Sequence, residues 1–248
     1  EPFADSSQIP TVLISQFAVK KVKVILSGDG ADEFYGGYNR YIAFSKMNKT
    51  LKYCPYNIRY ALGKIISLIP LNLLTYMEII LGKLFLQNRS VTQLDDKIKK
   101  LGSILMNSKS IADMYFSIIS LSESIPDLLN HKDAHNEVDE IKEKINSYFY
   151  ENKDFVENVM VADQNMYLTG DILHKVDRAS MHYSLETRIP FLNPNIINFS
   201  NKLNMNMKIK GNTGKFLLRE VLKKYIPEKY INRPKMGFSI PLNEWLKG

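Results

Sequence analysis

One short β-branched run, Val22-Lys23-Val24-Ile25-Leu26, is the single confident strand signal in 248 residues. A sheet needs several strands, and parallel strands need crossovers of about a dozen or more residues between them. The apolar bias of the run fits a mostly buried parallel strand of an α/β sheet. The remaining sequence offers helical spacing and breakers in place of further strands, so the chain is expected to be mostly α-helical, with the missing strands preceding Glu1.

Three zones differ in pattern. Residues 9 to 50 give helical spacing at Ile9, Val12, Leu13 and Phe17, then the strand, then a Gly-rich acidic turn. Residues 51 to 150 read as helices separated by Pro55, Pro70, Gly102 and Pro126, with Val138, Ile141, Ile145 and Phe149 spaced for one amphipathic face. From 151 to 248 more helices follow, interrupted around Gly170, Pro190 and Gly211 to Gly214. The longest uncharged part of the most apolar stretch, Ile65 to Met77, is 13 residues, short of the about 20 that cross a bilayer. No membrane association is expected. A single cysteine, Cys54, allows no internal disulfide and makes a reducing cytoplasm the default.

The net charge is +7, and from Lys202 onward eleven Lys/Arg face three Glu, so the basic excess is C-terminal. Such a segment can face a nucleotide triphosphate, bind nucleic acid or form a solvated surface. Charge alone does not choose among them.

The densest local signal is Ser27-Gly28-Asp29-Gly30-Ala31-Asp32-Glu33, directly after the strand and followed by Gly36-Gly37-Tyr38. Glycines at a strand-to-helix turn let backbone approach a phosphate, while carboxylates in the same turn would repel a bare one. Asp29, Asp32 and Glu33 therefore point to a hard cation such as Mg²⁺ bridging carboxylate and phosphate oxygens, or to an acidic first turn that complements the helix dipole. Neither standard nucleotide fingerprint fits, because Gly28-Asp29-Gly30 lacks the third glycine and Gly211-Asn212-Thr213-Gly214-Lys215-Phe216 has no Ser/Thr after the lysine. Lys215 can still put an ammonium on a phosphoryl group, or it can be a solvated loop lysine. In the segment 171 to 191, charges share helical faces with many apolar residues. Glu186 and Arg188 are expected to be partly buried and paired, supporting a site's shape, and Asp171 with Lys175 to form an i, i+4 surface pair. His131 and His135 have a metal-pair spacing but no third ligand is evident.

Taken together these segments resemble glutamine-hydrolysing asparagine synthetase. The resemblance rests on Glu1-Pro2-Phe3-Ala4-Asp5-Ser6-Ser7, on the segments at 27–33 and 36–38, on Lys175-Val176-Asp177-Arg178-Ala179-Ser180-Met181, on Ser184-Leu185-Glu186-Thr187-Arg188-Ile189-Pro190-Phe191-Leu192, on Gly214-Lys215 with Leu217-Leu218-Arg219, and on Arg233-Pro234-Lys235-Met236-Gly237-Phe238. Order and approximate spacing match the C-terminal synthetase domain of that family, with residues from about 50 to 160 matched by helical character alone.

The resemblance implies an α/β fold and an ATP-dependent amide ligation in which the side-chain carboxylate of aspartate attacks the α-phosphate of ATP, and ammonia from glutamine then displaces AMP. It implies ATP and Mg²⁺ as cofactors, with Ser27 and Gly28 contacting the nucleotide, Asp32 holding Mg²⁺ and pyrophosphate, and Lys215 binding ATP and stabilising the transition state. Asp29 would lie near the acyl-adenylate, where many members have Glu, and Asp177, Arg178, Glu186 and Arg188 would be structural support. Residues 1–50 would be the strand, acidic loop and helix of the nucleotide-binding core, 51–160 a helical region, and 161–248 the helical segment completing the site. The family's Ser-Gly-Gly-x-Asp-Ser pyrophosphate loop and its glutaminase domain do not occur in these residues, so the chain is expected to be the later part of a longer protein and to need them for catalysis. A homodimer is a further option, and nucleic acid is not an expected partner. Enzymes amidating other carboxylates, such as sugar-linked acids, share the scaffold, while a nucleic-acid-binding module or a noncatalytic helical remnant are the readings from other classes.

Overall fold

A computed structural model describes residues 5–51, 54–70, 94–120, 134–233, 240 and 245–246. Two compact units emerge: Glu1–Ser45 with Val156–Gly248, and Lys46–Phe155.

In the first unit, helix α1 (Gln8–Ala18) leads to strand β1 (Val24–Leu26) and the short helix α2 (Ala31–Tyr35), after which α3 (Asn39–Leu51) begins. The chain returns through α8 (Phe155–Ala162), which passes into a ten-residue π-helix, Asp163–Ile172, and then α9 (Leu173–Met181). Strand β2 (Glu186–Arg188) follows and pairs parallel with β1, Ile25 opposite Thr187. Helix α10 (Pro194–Asn201), the turn of helix α11 (Met205–Lys208), a small hairpin of β3 (Ile209–Lys210) and β4 (Thr213–Gly214), and helices α12 (Phe216–Leu222) and α13 (Glu228–Ile231) complete it. Phe34, Tyr35 and Leu168 form the buried centre, packed by Ile172, Phe191, Leu192 and Leu217.

The mostly helical, strand-poor reading holds, and β1 is parallel as expected. Its burial is not: Val24 is 46% exposed and Leu26 76%. Among the described residues β1 has a neighbour on one edge only, and the outward residues Leu13 and Phe17 of α1 are also exposed.

In the second unit α4 (Tyr56–Ser67) packs on α5 (Leu94–Asn107), followed by α6 (Ile111–Ile119) and α7 (Ala134–Asn146). Pro55 and Pro70 flank α4 as breakers do. Gly102 is different. It lies inside α5, where it lets two helices approach: a Cβ on Gly63 would come within 2.7 Å of the Gly102 carbonyl oxygen. Tyr56 donates to the Met106 carbonyl at 2.8 Å across the same crossing. Helix α6 starts with a reciprocal cap between Ser110 and Asp113. Ile145 is the buried member of the expected amphipathic face, whereas Ile141 is 40% exposed. Pro126 and His131 lie outside the described residues.

Candidate nucleotide-facing site

The turn after β1 is fixed by its backbone. Gly30 has φ +81°, a left-handed conformation that glycine adopts without cost, and the Ser27 amide donates to the Arg188 carbonyl at 2.8 Å. The Ser27 hydroxyl donates to Asp29 Oδ2 at 2.5 Å, so the Asp29 carboxylate is held against its own turn. Asp32 stands in the first turn of α2.

Lys215 reaches this turn from 183 residues away, its Nζ 2.9 Å from Asp32 Oδ2. Three glycines make the meeting possible. Gly214 packs so closely that a Cβ would sit 2.4 Å from the Gly36 carbonyl oxygen, and a Cβ on Gly37 would fall 1.9 Å from Asp32 Oδ1 and 2.3 Å from Lys215 Cε. The Lys215 amide donates to the Tyr35 carbonyl at 3.1 Å, with Lys215 itself at φ +54°. Arg219 braces the loop, donating to the carbonyls of Gly214 at 3.0 Å and Ile231 at 2.9 Å. Both side chains of the ion pair are about a quarter exposed, 26% and 28%, so a ligand can reach them.

A cavity of about 680 Å³ opens beside the pair, with Ser27, Asp29 and Asp32 in its wall. That is within the usual range for small-molecule sites, about 300–1,000 Å³. The wall also contains Asp5, Ser7 and Lys175. Lys175 is 7% exposed; its Nζ donates to Asp5 Oδ2 at 2.5 Å and to Ser7 Oγ at 2.8 Å. Burial on its own would raise the Asp5 carboxyl, but the hydrogen bonds from Lys175 and Ser7 outweigh it and hold the group below its ordinary value. Thr187, also in the wall, has a buried Oγ1 with no hydrogen-bond partner among the described residues.

Behind the wall lies a second polar cluster. Glu33 is 1% exposed and accepts from the Tyr38 hydroxyl at 2.6 Å; desolvation raises its pKa despite that bond. Arg40 stacks over Tyr38 and Tyr167, 4.2 and 4.7 Å from the ring centroids, and pairs with the fully buried Asp163 at 2.8 Å. Tyr41 donates to the same carboxylate at 2.5 Å. Gln164 donates to the Glu33 carbonyl at 3.1 Å. The wide turns of the π-helix carry Asp163, Gln164 and Tyr167, and π-helical segments recur at functional sites.

The structure thus gathers Ser27, Gly28, Asp29, Asp32 and Lys215, and separates the other expected residues. Glu33 leaves the acidic cluster for the interior. Glu186 and Arg188 pair with each other at 2.6 Å but are 50% and 68% exposed, not partly buried, because they occupy the outward positions of β2 around Thr187. Asp177 and Arg178 lie on the exposed side of α9, whose buried residues are Lys175, Ala179 and Ser180. Lys175 is no surface partner of Asp171: it is buried and bound to Asp5. Buried, paired charge was expected at Glu186 and Arg188; the structure puts it at Lys175 instead, because the Asp5–Ser7 segment supplies its partners. Nothing local in the sequence pointed to Asp163 or Arg40.

The turn after β1, with Asp32 and Lys215 apposed beside the cavity, is the candidate site of this chain. A family model described as asparagine synthase matches residues 1–248, and the chain belongs to that family. It is 30% identical to asparagine synthetase [glutamine-hydrolyzing] 1 of Bacillus subtilis (strain 168) over 249 residues, all of this chain and 35% of that protein. It is 32% identical to a putative asparagine synthetase [glutamine-hydrolyzing] of Mycobacterium tuberculosis over 252 residues, all of this chain and 34% of that protein. A shorter match, 48% over 48 residues, is to putative asparagine synthetase [glutamine-hydrolyzing] 2 of Methanocaldococcus jannaschii, covering 19% of this chain and 9% of that protein. The chain spans about a third of the length of the longer-matching relatives. No solved structure matches it significantly. Among the described residues no helix is long and apolar enough to cross a membrane.

Proposed function

We propose that this chain forms the nucleotide-facing part of an ATP-dependent amide ligase that makes asparagine from aspartate, with ammonia released from glutamine by a domain outside these 248 residues. The observation that carries the reading is the Asp32–Lys215 contact at 2.9 Å, made by two glycine loops that meet so closely that side chains are excluded. The family membership points the same way.

The chemistry asks for two steps. The aspartate β-carboxylate attacks the α-phosphorus of ATP and pyrophosphate leaves; ammonia then attacks the acyl carbon, AMP leaves and one proton is lost. Charge grows on the α-phosphoryl oxygens in the first step, so a preorganised ammonium there is worth about 10²–10³ in rate. Lys215 is that group, aimed by its contact with Asp32. The Ser27 hydroxyl and the open Gly28 backbone face the nucleotide. Asp29, hydrogen-bonded by Ser27, stands beside the acyl-adenylate, where its short side chain orients more readily than it abstracts a proton.

The cavity wall tests whether Mg²⁺ fits. Asp5, Asp29 and Asp32 set three carboxylates against the ammonium groups of Lys175 in the wall and of Lys215 on Asp32, an excess of one negative charge, so a polyphosphate enters more favourably with cations. Among the described residues no group of three or more His, Cys, Asp or Glu is placed to hold a metal by itself, which suits an ion that takes one carboxylate and completes its shell with phosphate oxygens and water. Asp32 is that carboxylate. Mg²⁺ bound there would neutralise phosphate charge and favour pyrophosphate departure.

The reading is tested by supplying the full-length gene product with L-aspartate, Mg·ATP and ammonium: asparagine and AMP form in equal amounts. Formation of ADP instead of AMP, or turnover that ignores aspartate, overturns it.

A further inference from the structure

Helix α2 carries Asp32 on only five residues, between two glycines in the left-handed conformation, Gly30 at φ +81° and Gly36 at φ +68°. So short a helix is marginal by itself, and its N-cap makes no side-chain hydrogen bond. Local sequence therefore does not fix where α2 points. Yet Asp32 meets Lys215 at 2.9 Å, and a misplacement of about 1 Å at such a contact costs about 10²-fold in rate.

The position of α2 is set from behind. Glu33, the neighbour of Asp32, is held twice: its carboxylate accepts from the Tyr38 hydroxyl at 2.6 Å, and its main-chain carbonyl accepts from Gln164 Nε2 at 3.1 Å. Both holds lead to the π-helix. Gln164 belongs to it, and the Tyr38 ring lies 4.2 Å from the Arg40 guanidinium, which pairs with Asp163 at 2.8 Å. The same guanidinium covers Tyr167 at 4.7 Å, and the two rings meet edge to face at 5.9 Å. Tyr38 and Tyr167 line the cavity beside Asp32.

We propose that Arg40 is a positioning residue: anchored by Asp163, it fixes the Tyr38 ring, and the Tyr38 hydroxyl together with Gln164 sets α2 so that Asp32 stands against Lys215. Neutralising Asp163 asks only for a cation. Positioning asks for a flat cation that stacks on two rings while it binds the carboxylate, a demand that a planar guanidinium meets and a point-like ammonium does not. The two roles therefore part at Arg40→Lys.

Two measurements on the full-length gene product test this. Amide hydrogen exchange of the ligand-free protein reports on α2 through the amides of Phe34, Gly36 and Gly37, which bond to the carbonyls of Gly30 and Asp32. In Arg40→Lys their protection is expected to fall about 10-fold or more while that of α1 and α9 holds. Aspartate-dependent exchange of labelled pyrophosphate into ATP should lose about 10- to 100-fold in kcat and in kcat/KM alike, the mark of an interaction realised in the transition state. Tyr38→Phe keeps the stacked ring and removes only the bond to Glu33, and the same two changes are expected at about 10-fold. Wild-type protection of α2 and wild-type kinetics in Arg40→Lys would reduce Arg40 to a counter-ion for Asp163 and overturn the proposal, as would unchanged α2 protection in Tyr38→Phe. Should Arg40→Lys fail to fold, Tyr38→Phe decides by the same measurements. The inference rests on the amide-ligase reading for its kinetic measurement alone: absence of aspartate-dependent exchange in the wild type would sink that reading, while amide protection of α2 still decides this one.

Discussion

The two units of the chain hold together by different means. In Glu1–Ser45 with Val156–Gly248, residues 122 to 183 positions apart meet through charged and hydroxyl groups: Tyr41 and Arg40 on Asp163, Lys175 on Asp5, Lys215 on Asp32. In Lys46–Phe155 the described contacts are helix against helix, with a glycine crossing at Gly63 and Gly102 and buried Tyr115, Met114 and Ile104. Apolar packing is the more economical source of stability, because buried charge must be desolvated. The costly polar pairs are concentrated in the first unit, where the candidate site lies.

The largest loss is expected from Asp163→Asn. The side chain is fully buried and neutralises Arg40, and removing one partner of such a pair costs about 3–5 kcal/mol. Chemical denaturation should show this, and a loss no larger than that of a surface substitution would break the contrast between the units.

Gly37→Ala is next and separates activity from fold. Its Cβ would collide with the Asp32 carboxylate and the Lys215 chain, both ends of movable side chains, so the ion pair should part while the backbone stays. Pyrophosphate exchange is expected to fall by about 10² with little change in melting temperature. Gly170→Ala, which meets nothing within 4 Å, should leave exchange intact.

Gly63→Ala sharpens the comparison from the other side. A Cβ would press to 2.6 Å on Met106 and 2.7 Å on the Gly102 backbone, an overpacking of about 1–3 kcal/mol. Stability should drop while the KM values of the folded enzyme hold.

The smallest effect is a pH dependence. Burial raises the Glu33 pKa above the ordinary glutamate value, so the folded state binds the proton more tightly than the unfolded state. Stability from this group is therefore full below the unfolded pKa and declines as pH rises through the folded one. Glu33→Gln lacks the decline and should gain on the wild type in thermal melts as pH rises above the ordinary glutamate value, then run parallel to it once the folded-state carboxyl has ionised.

What was legible in the sequence follows the range of the interactions. The Ser27–Glu33 turn, the parallel strand and the helical middle rest on local spacing and glycine chemistry, and all three could be read. Gly102 was misread as a breaker because a glycine at a helix crossing looks, in one dimension, like a helix end. The exposure of Glu186 and Arg188 depends on which face of a three-residue strand meets the interior, which alternation alone cannot assign without a second strand. Lys175 and Asp163 are buried only because distant segments supply their partners, and no spacing rule connects position 5 with 175 or position 40 with 163.

The central claim is that Lys215, set on Asp32 by the glycine loops, stabilises nucleotide adenylation of aspartate. Its most direct test is aspartate-dependent exchange of labelled pyrophosphate into ATP by the full-length gene product and its Lys215→Ala variant. The account predicts exchange that requires aspartate and falls by about 10²–10³ in the variant while the fold persists. Undiminished exchange in folded Lys215→Ala, or none in the wild type, would contradict it.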